Sequence, residues 1–379
     1  MPNGGIRGCD TCIHNESGLC KVRNERIFIY PHWMTCDNWN SYNLNPDGVI
    51  FSVVGEVKNG GISYGKIPYY KGMRVDTIQN GSDDTIVIWR GKDGSEMKFK
   101  DVDEYLEFYE NERIKKKSFI LGAIIGDIIG SVFEHHNNKS TDFHLFCENT
   151  EFTDDSVLTF ATMGSILNGI DYATAYQSYG RKFPHRGYGG YFRSWIRSDH
   201  PEPYNSYGNG SAMRVSPVGW AYDSLEEVLL QAKRSAEVTH NHREGIKGAQ
   251  ATAAAVFLAR TGLTKADIKK YIQATYGYDL ERRLDDIRPV YKFNETCQET
   301  VPEAIIAFLE SEDYESAIRL AISIGGDSDT VACITGGIAE AFYRETPEWI
   351  VDNAMRILPA DVIKLIEKFS LKYRNFQSK

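Results

Sequence analysis

Leu121-Gly-Ala-Ile-Ile-Gly-Asp-Ile-Ile-Gly-Ser-Val-Phe-Glu134 is the stretch whose reading decides the fold class. Its glycines, Gly122, Gly126 and Gly130, recur every four residues and so fall on one face of a helix. Each costs about 1 kcal/mol of helix propensity against alanine, and the stripe they form lets a second backbone approach closely. The surrounding run, Phe119 to Phe133, is apolar but broken by Asp127 and the three glycines. It falls short of the roughly 20 apolar residues that cross a bilayer. The pattern predicts a tightly packed core helix over 118–134. Asp127 and Glu134, two turns apart, then share a face. Taken alone, the stretch reads as a core helix with an acidic exposed edge.

Downstream, helical spacing recurs at 154–168, 171–181, 224–237, 243–260, 264–274, 300–310, 313–322, 329–343 and 347–355. No stretch past 118 alternates strictly enough for a strand, and no fixed-period repeat stands out. Residues 118–379 therefore read as one all-α domain. Upstream the texture differs. Residues 43–112 read as a small β-rich domain, with strands at 49–54, 74–78 and 85–89 and turn signals at Asn59-Gly-Gly61, Asn80-Gly81 and Asp93-Gly94. A short amphipathic helix, Val102 to Tyr109, follows, and the charged stretch Glu110 to Lys117 is the candidate boundary. The fold class is thus mainly α, an all-α domain behind a small Cys-containing and β-rich N-terminal extension.

Composition narrows the function. With Lys+Arg 43 against Asp+Glu 52 the formal charge is −9, which argues against broad contact with a phosphate backbone. An apolar fraction of 42% and a charged fraction of 25% are ordinary globular values among 379 residues. No signal peptide or membrane span is visible, and seven cysteines without a secretion signal point to a reducing cytoplasm. Four of them, Cys9, Cys12, Cys20 and Cys36, have a spacing compatible with one structural Zn²⁺ held by thiolates over residues 1–42. Unpaired thiols or another metal are the alternatives.

Acids recur at two helix starts. Phe152-Thr-Asp-Asp-Ser156 precedes an apolar helix, and Ile324-Gly-Gly-Asp-Ser-Asp-Thr330 precedes another. Capping needs one acid, not two acids with a hydroxyl, so the repetition is informative. Thr153, Asp154, Asp155, Asp327, Asp329 and Thr330 together offer four carboxylates and two hydroxyls. Clustered without cations they would repel and raise one another's pKa. Hard oxygen donors suit Mg²⁺, Mn²⁺ or Ca²⁺, and the count suits two ions. Tyr207-Gly-Asn-Gly-Ser-Ala-Met-Arg214 reads as a backbone nest for an anion, with Arg214 adding charge. Gly187-Tyr-Gly-Gly-Tyr-Phe-Arg-Ser-Trp195 offers stacking faces for a base, with aromatic core packing as the alternative. His240, in Thr239-His-Asn-His242, is a candidate ligand contact. There is no Walker loop and no dinucleotide fingerprint. Gly61-Ile-Ser-Tyr-Gly65 matches a serine-hydrolase pattern without the helix that should follow, and is taken as chance.

Gly126-Asp127 with Glu134, Thr153-Asp-Asp-Ser156, Gly208-Asn-Gly-Ser-Ala-Met-Arg214, Thr239-His240 and Gly325-Gly-Asp-Ser-Asp-Thr330, in this order, resemble the ADP-ribosylglycohydrolase family. The resemblance runs from about 118 to 345. It implies an all-α globule with two Mg²⁺ or Mn²⁺ ions that cleaves the bond joining ADP-ribose to a protein or other conjugate. It implies metal ligation by Thr153, Asp154, Asp155, Asp327, Asp329 and Thr330, and ligand contact by Asn209, Gly210, Ser211, Ala212, Met213 and His240. Glu134 would face the metal site and the ribose. The proton acceptor stays open among Glu134, Asp154 and Asp155. Ser156 stands where the family often has threonine and keeps the hydroxyl. Two other readings compete: a non-catalytic protein that binds ADP-ribosylated targets or occludes an ADP-ribosyltransferase toxin through its N-terminal part, and a magnesium-dependent phosphohydrolase.

Overall fold

The computed structural model describes residues 119–374 in full and, before them, only the backbone of eight strands. Contacts divide the chain into two compact units, 1–116 and 117–379. In the first unit β1 (Asn15–Glu16), β2 (Leu19–Cys20) and β3 (Glu25–Arg26) pair antiparallel in chain order. β4 (Val49–Lys58) and β5 (Gly61–Tyr70) form a hairpin, and β6 (Val75–Gln79), β7 (Thr85–Arg90) and β8 (Glu96–Phe99) form an antiparallel meander. The four-cysteine zinc reading falls on side chains outside the described residues.

The second unit is helical among its described residues. It begins with α1 (Gly122–Gly130), α2 (Asp154–Asn168), α3 (Tyr172–Lys182) and α4 (Gly190–Arg197). Two short helices, α5 (Gly210–Met213) and α6 (Ser216–Ala221), lead into α7 (Leu225–Glu237), α8 (Arg243–Arg260) and α9 (Lys265–Tyr276). Then come α10 (Leu284–Ile287), α11 (Cys297–Glu310), α12 (Tyr314–Ser323), α13 (Ser328–Tyr343), α14 (Glu348–Ile357) and α15 (Ala360–Tyr373). α13 is the axis: it packs against α1, α8, α11 and α12.

The glycine stripe explains the closest pair. A Cβ on Gly126 would collide with the carbonyl of Ala332, one on Gly122 with that of Gly336, and one on Gly130 would lie 2.5 Å from Cα of Asp329. α1 thus lies backbone to backbone along α13. Its first turn is capped from α13 as well: the Leu121 and Gly122 amides donate to the buried Glu340 carboxylate at 3.0 and 2.8 Å. Arg374 supplies the countercharge to Glu340 at 3.1 Å.

α1 is shorter than the expected 118–134. It stops at Gly130, and Glu134 sits in the turn beyond. The argument that Asp127 and Glu134 share a helical face therefore fails. The exposed acidic edge is also corrected, because Asp127 is 0% exposed. The segments 190–197, 216–221 and 360–373, which carried no helical expectation, are helices. α4 and α15 start without a side-chain cap hydrogen bond, so the local signal for each is weak.

Candidate active site

Three chain segments meet at one end of the α1–α13 pair. α2 begins at Thr153, whose hydroxyl accepts from the Asp155 amide. Asp127, from the middle of α1, reinforces that start across the interface. Its carboxylate accepts from the Thr153 amide at 2.9 Å, the Thr153 hydroxyl at 2.5 Å and the Ser156 amide at 3.0 Å. α13 begins after a tight turn in which Gly325 and Gly326 take φ of 70° and 79°, conformations open to glycine and strained for other residues. That turn drops Asp327 and Asp329 onto the start of α2. Asn209 Nδ2 donates to Asp327 at 2.6 Å and to Thr300 at 3.1 Å, which ties the glycine-rich segment to the same point.

The carboxylates form two groups of three, with one oxygen of each within 4.8 Å of the others: Asp127, Asp155 and Asp329, and Glu134, Asp327 and Asp329. Asp329 belongs to both. A cleft of about 250 Å³ opens above them, and its lining includes Glu134, Asp154, Asp155, Asp327, Asp329 and Thr330. Among the described residues no basic side chain pairs with any of the five aspartates, and Glu134 has only the exposed His135 at 3.7 Å. Burial first, and the Asp329 charge second, push Asp127 and Glu134 up to about 7. The same causes hold Asp154, Asp155 and Asp327 well above the usual carboxylate range. One oxygen of Asp155, Oδ1, is buried without a hydrogen-bond partner. Buried anions with an unfilled lone pair fit a hard cation.

Most of the sequence-predicted residues converge. Of the glycine-rich segment, Asn209, Gly210 and Met213 line the cleft and His240 joins them. Ser211 and Ala212 do not; both are fully buried, and the Ser211 hydroxyl donates to the Gly245 carbonyl in α8 at 2.7 Å. The open nest expected at 207–214 is instead the short helix α5, which turns these two side chains inward. Arg214 reaches the cleft wall but is fully buried, with its guanidinium 4.2 Å from the Tyr176 ring centre. His242 is structural, accepting from the Glu244 amide as the cap of α8. In the aromatic segment Tyr188, Phe192 and Trp195 are core rings, whereas Tyr191 is 81% exposed and stacks on Tyr204 at 5.9 Å. Sequence reasoning missed Asp127 as part of the acid cluster. Its signal was present: it is the one charged residue inside an apolar run. Glu295, also on the cleft wall, carried no readable signal.

Comparison with known proteins gives the same assignment. The family model described as ADP-ribosylglycohydrolase matches residues 111–374. The chain is similar to ADP-ribosylhydrolase ARH3 of Homo sapiens, 29% identical over 306 residues, covering 59% of this chain and 84% of that one. The Mus musculus ARH3 is 27% identical over 313 residues, 60% of this chain and 84% of that one. ADP-ribosylarginine hydrolase Tri1 of Pseudomonas putida (strain GB-1) is 24% identical over 275 residues, covering 62% and 73%. A solved structure described as an ADP-ribosylglycohydrolase-related protein complex shares the fold with TM-score 0.50 and 23% identity, over 69% of this chain and 98% of that one. Among the described residues no helix is long and apolar enough to cross a membrane. With six acids and part of the glycine-rich segment gathered at one cleft, and the family model spanning all the described helices, the chain belongs to the ADP-ribosylglycohydrolase family and is a glycohydrolase.

Proposed function

We propose that the cleft holds two divalent cations of the Mg²⁺ or Mn²⁺ kind and releases ADP-ribose from a modified protein or other conjugate, reversing ADP-ribosylation. The observation that carries this reading is the sharing of Asp329 by two carboxylate triads at the foot of one cleft. Thr153, Asp154, Asp155, Asp327, Asp329 and Thr330 would hold the ions. Asp127, whose oxygens already accept three hydrogen bonds, fixes Thr153 and the start of α2 from behind. Bound ions would supply positive charge to ribose hydroxyls and lower the pKa of a water. Glu134, Asp154 and Asp155 all face the cleft, and one of them accepts that water's proton. The remaining carboxylates stabilise the positive charge that builds on the sugar as the glycosidic bond breaks. Incubating the whole protein with arginine-linked, serine-linked and small-molecule ADP-ribose conjugates tests this. Free ADP-ribose that appears only with a divalent cation supports it; inorganic phosphate or no product overturns it.

The acid cluster makes a prediction for the metal-free protein. Asp127 and Glu134 titrate near 7 when folded against ordinary values of 3.8 and 4.5. A raised folded pKa stabilises below the unfolded value, and that stabilisation is lost as pH rises through the folded one. In EDTA the melting temperature should therefore fall by roughly 5 °C between pH 6 and pH 8, and Mg²⁺ should remove most of that fall. Scanning calorimetry at both pH values, with and without Mg²⁺, checks it; a fall that Mg²⁺ leaves unchanged would count against a cation at these acids.

The exposed ring of Tyr191, beside the cleft, offers a stacking face for the adenine. Stacking is worth roughly 1–3 kcal/mol per base, so Tyr191→Ala should raise KM about tenfold. Because the ring is 81% exposed, the melting point should hold. An unchanged KM would place the adenine elsewhere.

A further inference from the structure

We infer that Arg214 and Thr239 are positioning residues that fix His240 as a neutral imidazole carrying its proton on Nε2, so that His240 presents a hydrogen-bond donor to an acceptor oxygen of the ligand. The inference rests on the proposed function for the identity of that ligand, ADP-ribose.

The argument is a proton count. Arg214 is fully buried, and a guanidinium only donates. Its Nη2 donates to the Ser235 carbonyl at 2.8 Å and to the Thr239 hydroxyl oxygen at 2.9 Å. Thr239 is itself fully buried, and its Oγ1 lies 2.7 Å from Nδ1 of His240. The hydroxyl has one proton. With Arg214 filling an acceptor position, the acceptor within reach of that proton is His240 Nδ1. Were Nδ1 protonated, Thr239 would accept twice and its own proton would be stranded in the interior, a penalty worth roughly tenfold or more in population. Nδ1 is therefore the acceptor, and the ring proton sits on Nε2. Burial, and then the Arg214 charge, keep the ring from taking a second proton by holding its pKa well below 6.5.

Nε2 faces the cleft. A Cβ on Gly210 would lie 3.1 Å from it and one on Gly208 3.6 Å from it, so the two glycines leave the approach to this donor open. Among the described residues Nε2 has no hydrogen-bond partner, and His240 lines the same cleft as the acids. A donor at this point selects an acceptor, a phosphate or ribose oxygen. It does not pair with a guanidinium or an ammonium, which only donate.

Long-range ¹H–¹⁵N spectra of the full-length protein labelled in histidine read the tautomer directly, with His240→Gln identifying the resonances. The expected spectrum has a pyridine-like Nδ1 and a pyrrole-like Nε2 at pH 7, with the Nε2 resonance moving on addition of ADP-ribose. Thr239→Val should convert His240 to a tautomer mixture. It should raise KM roughly 3–10-fold, the worth of one aligned hydrogen bond, while changing kcat less, and Thr239→Ser should restore both spectrum and KM. A wild-type spectrum with the proton on Nδ1 overturns the inference, as does a valine variant with unchanged tautomer and KM. The wild-type spectrum decides the tautomer even if the valine variant fails to fold. The two readings fail separately. ADP-ribose release with an Nδ1-protonated His240 sinks only the inference. An Nε2-protonated His240 in a protein that releases no ADP-ribose sinks the function and leaves the tautomer standing.

Discussion

Asp329→Asn should abolish ADP-ribose release, with a loss on the order of 10³-fold, beyond the 10–100-fold typical of groups one shell away from a metal. The side chain is shared by both carboxylate triads, so its removal takes a ligand from two ion positions at once. Calorimetric titration should show weaker Mg²⁺ binding in parallel. The same variant carries an opposite prediction for stability. The Asp329 charge is a cause of the raised pKa at Asp127, Glu134, Asp154, Asp155 and Asp327. Neutralising it relieves repulsion, so in EDTA at pH 8 the asparagine variant should melt above the wild type. That combination separates a lost site from a lost fold. Near-normal turnover at limiting Mg²⁺ would remove the two-ion assignment.

Gly126→Ala should be the most destabilising single methyl in the helical unit. Two effects oppose each other. Alanine gains about 1 kcal/mol of helix propensity over glycine. Against that, the new Cβ would sit inside the contact distance of the Ala332 carbonyl and 2.8 Å from the Cys333 amide nitrogen. Both are backbone atoms in the middle of α13 and cannot rotate away. Overpacking of side chains costs about 1–3 kcal/mol, and a backbone collision belongs at or above the top of that range. The net loss should be at least about 2 kcal/mol, a melting temperature lower by roughly 4–8 °C. Activity should fall as well, because α13 opens with Asp329 and Thr330 and separating the helices moves both. Urea melts with an activity assay on the folded fraction check this. A variant as stable as wild type would mean that α1 and α13 do not touch through their backbones.

The expectations that held were those whose physics is local. The start of α2 at Asp154 and its end at Asn168 follow from Thr153 as cap and Gly169 at φ of 66°, interactions that span a few residues. The glycine stripe announced a close partner helix without naming it. The expectations that failed depended on chain neighbours far apart in sequence. Periodicity carries the helix past Gly130, but the chain turns there, so Glu134 reaches the cleft from a turn and not along a helical face. The inward turn of the Ser211 and Ala212 side chains was likewise beyond local reading, because it depends on α5 packing against α8.

Residue types and spacing determined by themselves that this chain is mainly helical past 118, that hard acids cluster at two helix starts, and which family it resembles. Tertiary structure alone decided that Asp127, from the middle of a core helix, holds the start of α2. It also decided that Asp329 serves two triads and that a buried arginine sets the face His240 shows. The reason is the same in each case: caps and periodicities are encoded within a few residues, whereas burial, and the charge interactions it amplifies, exist only once segments 25 to 218 residues apart are brought into contact.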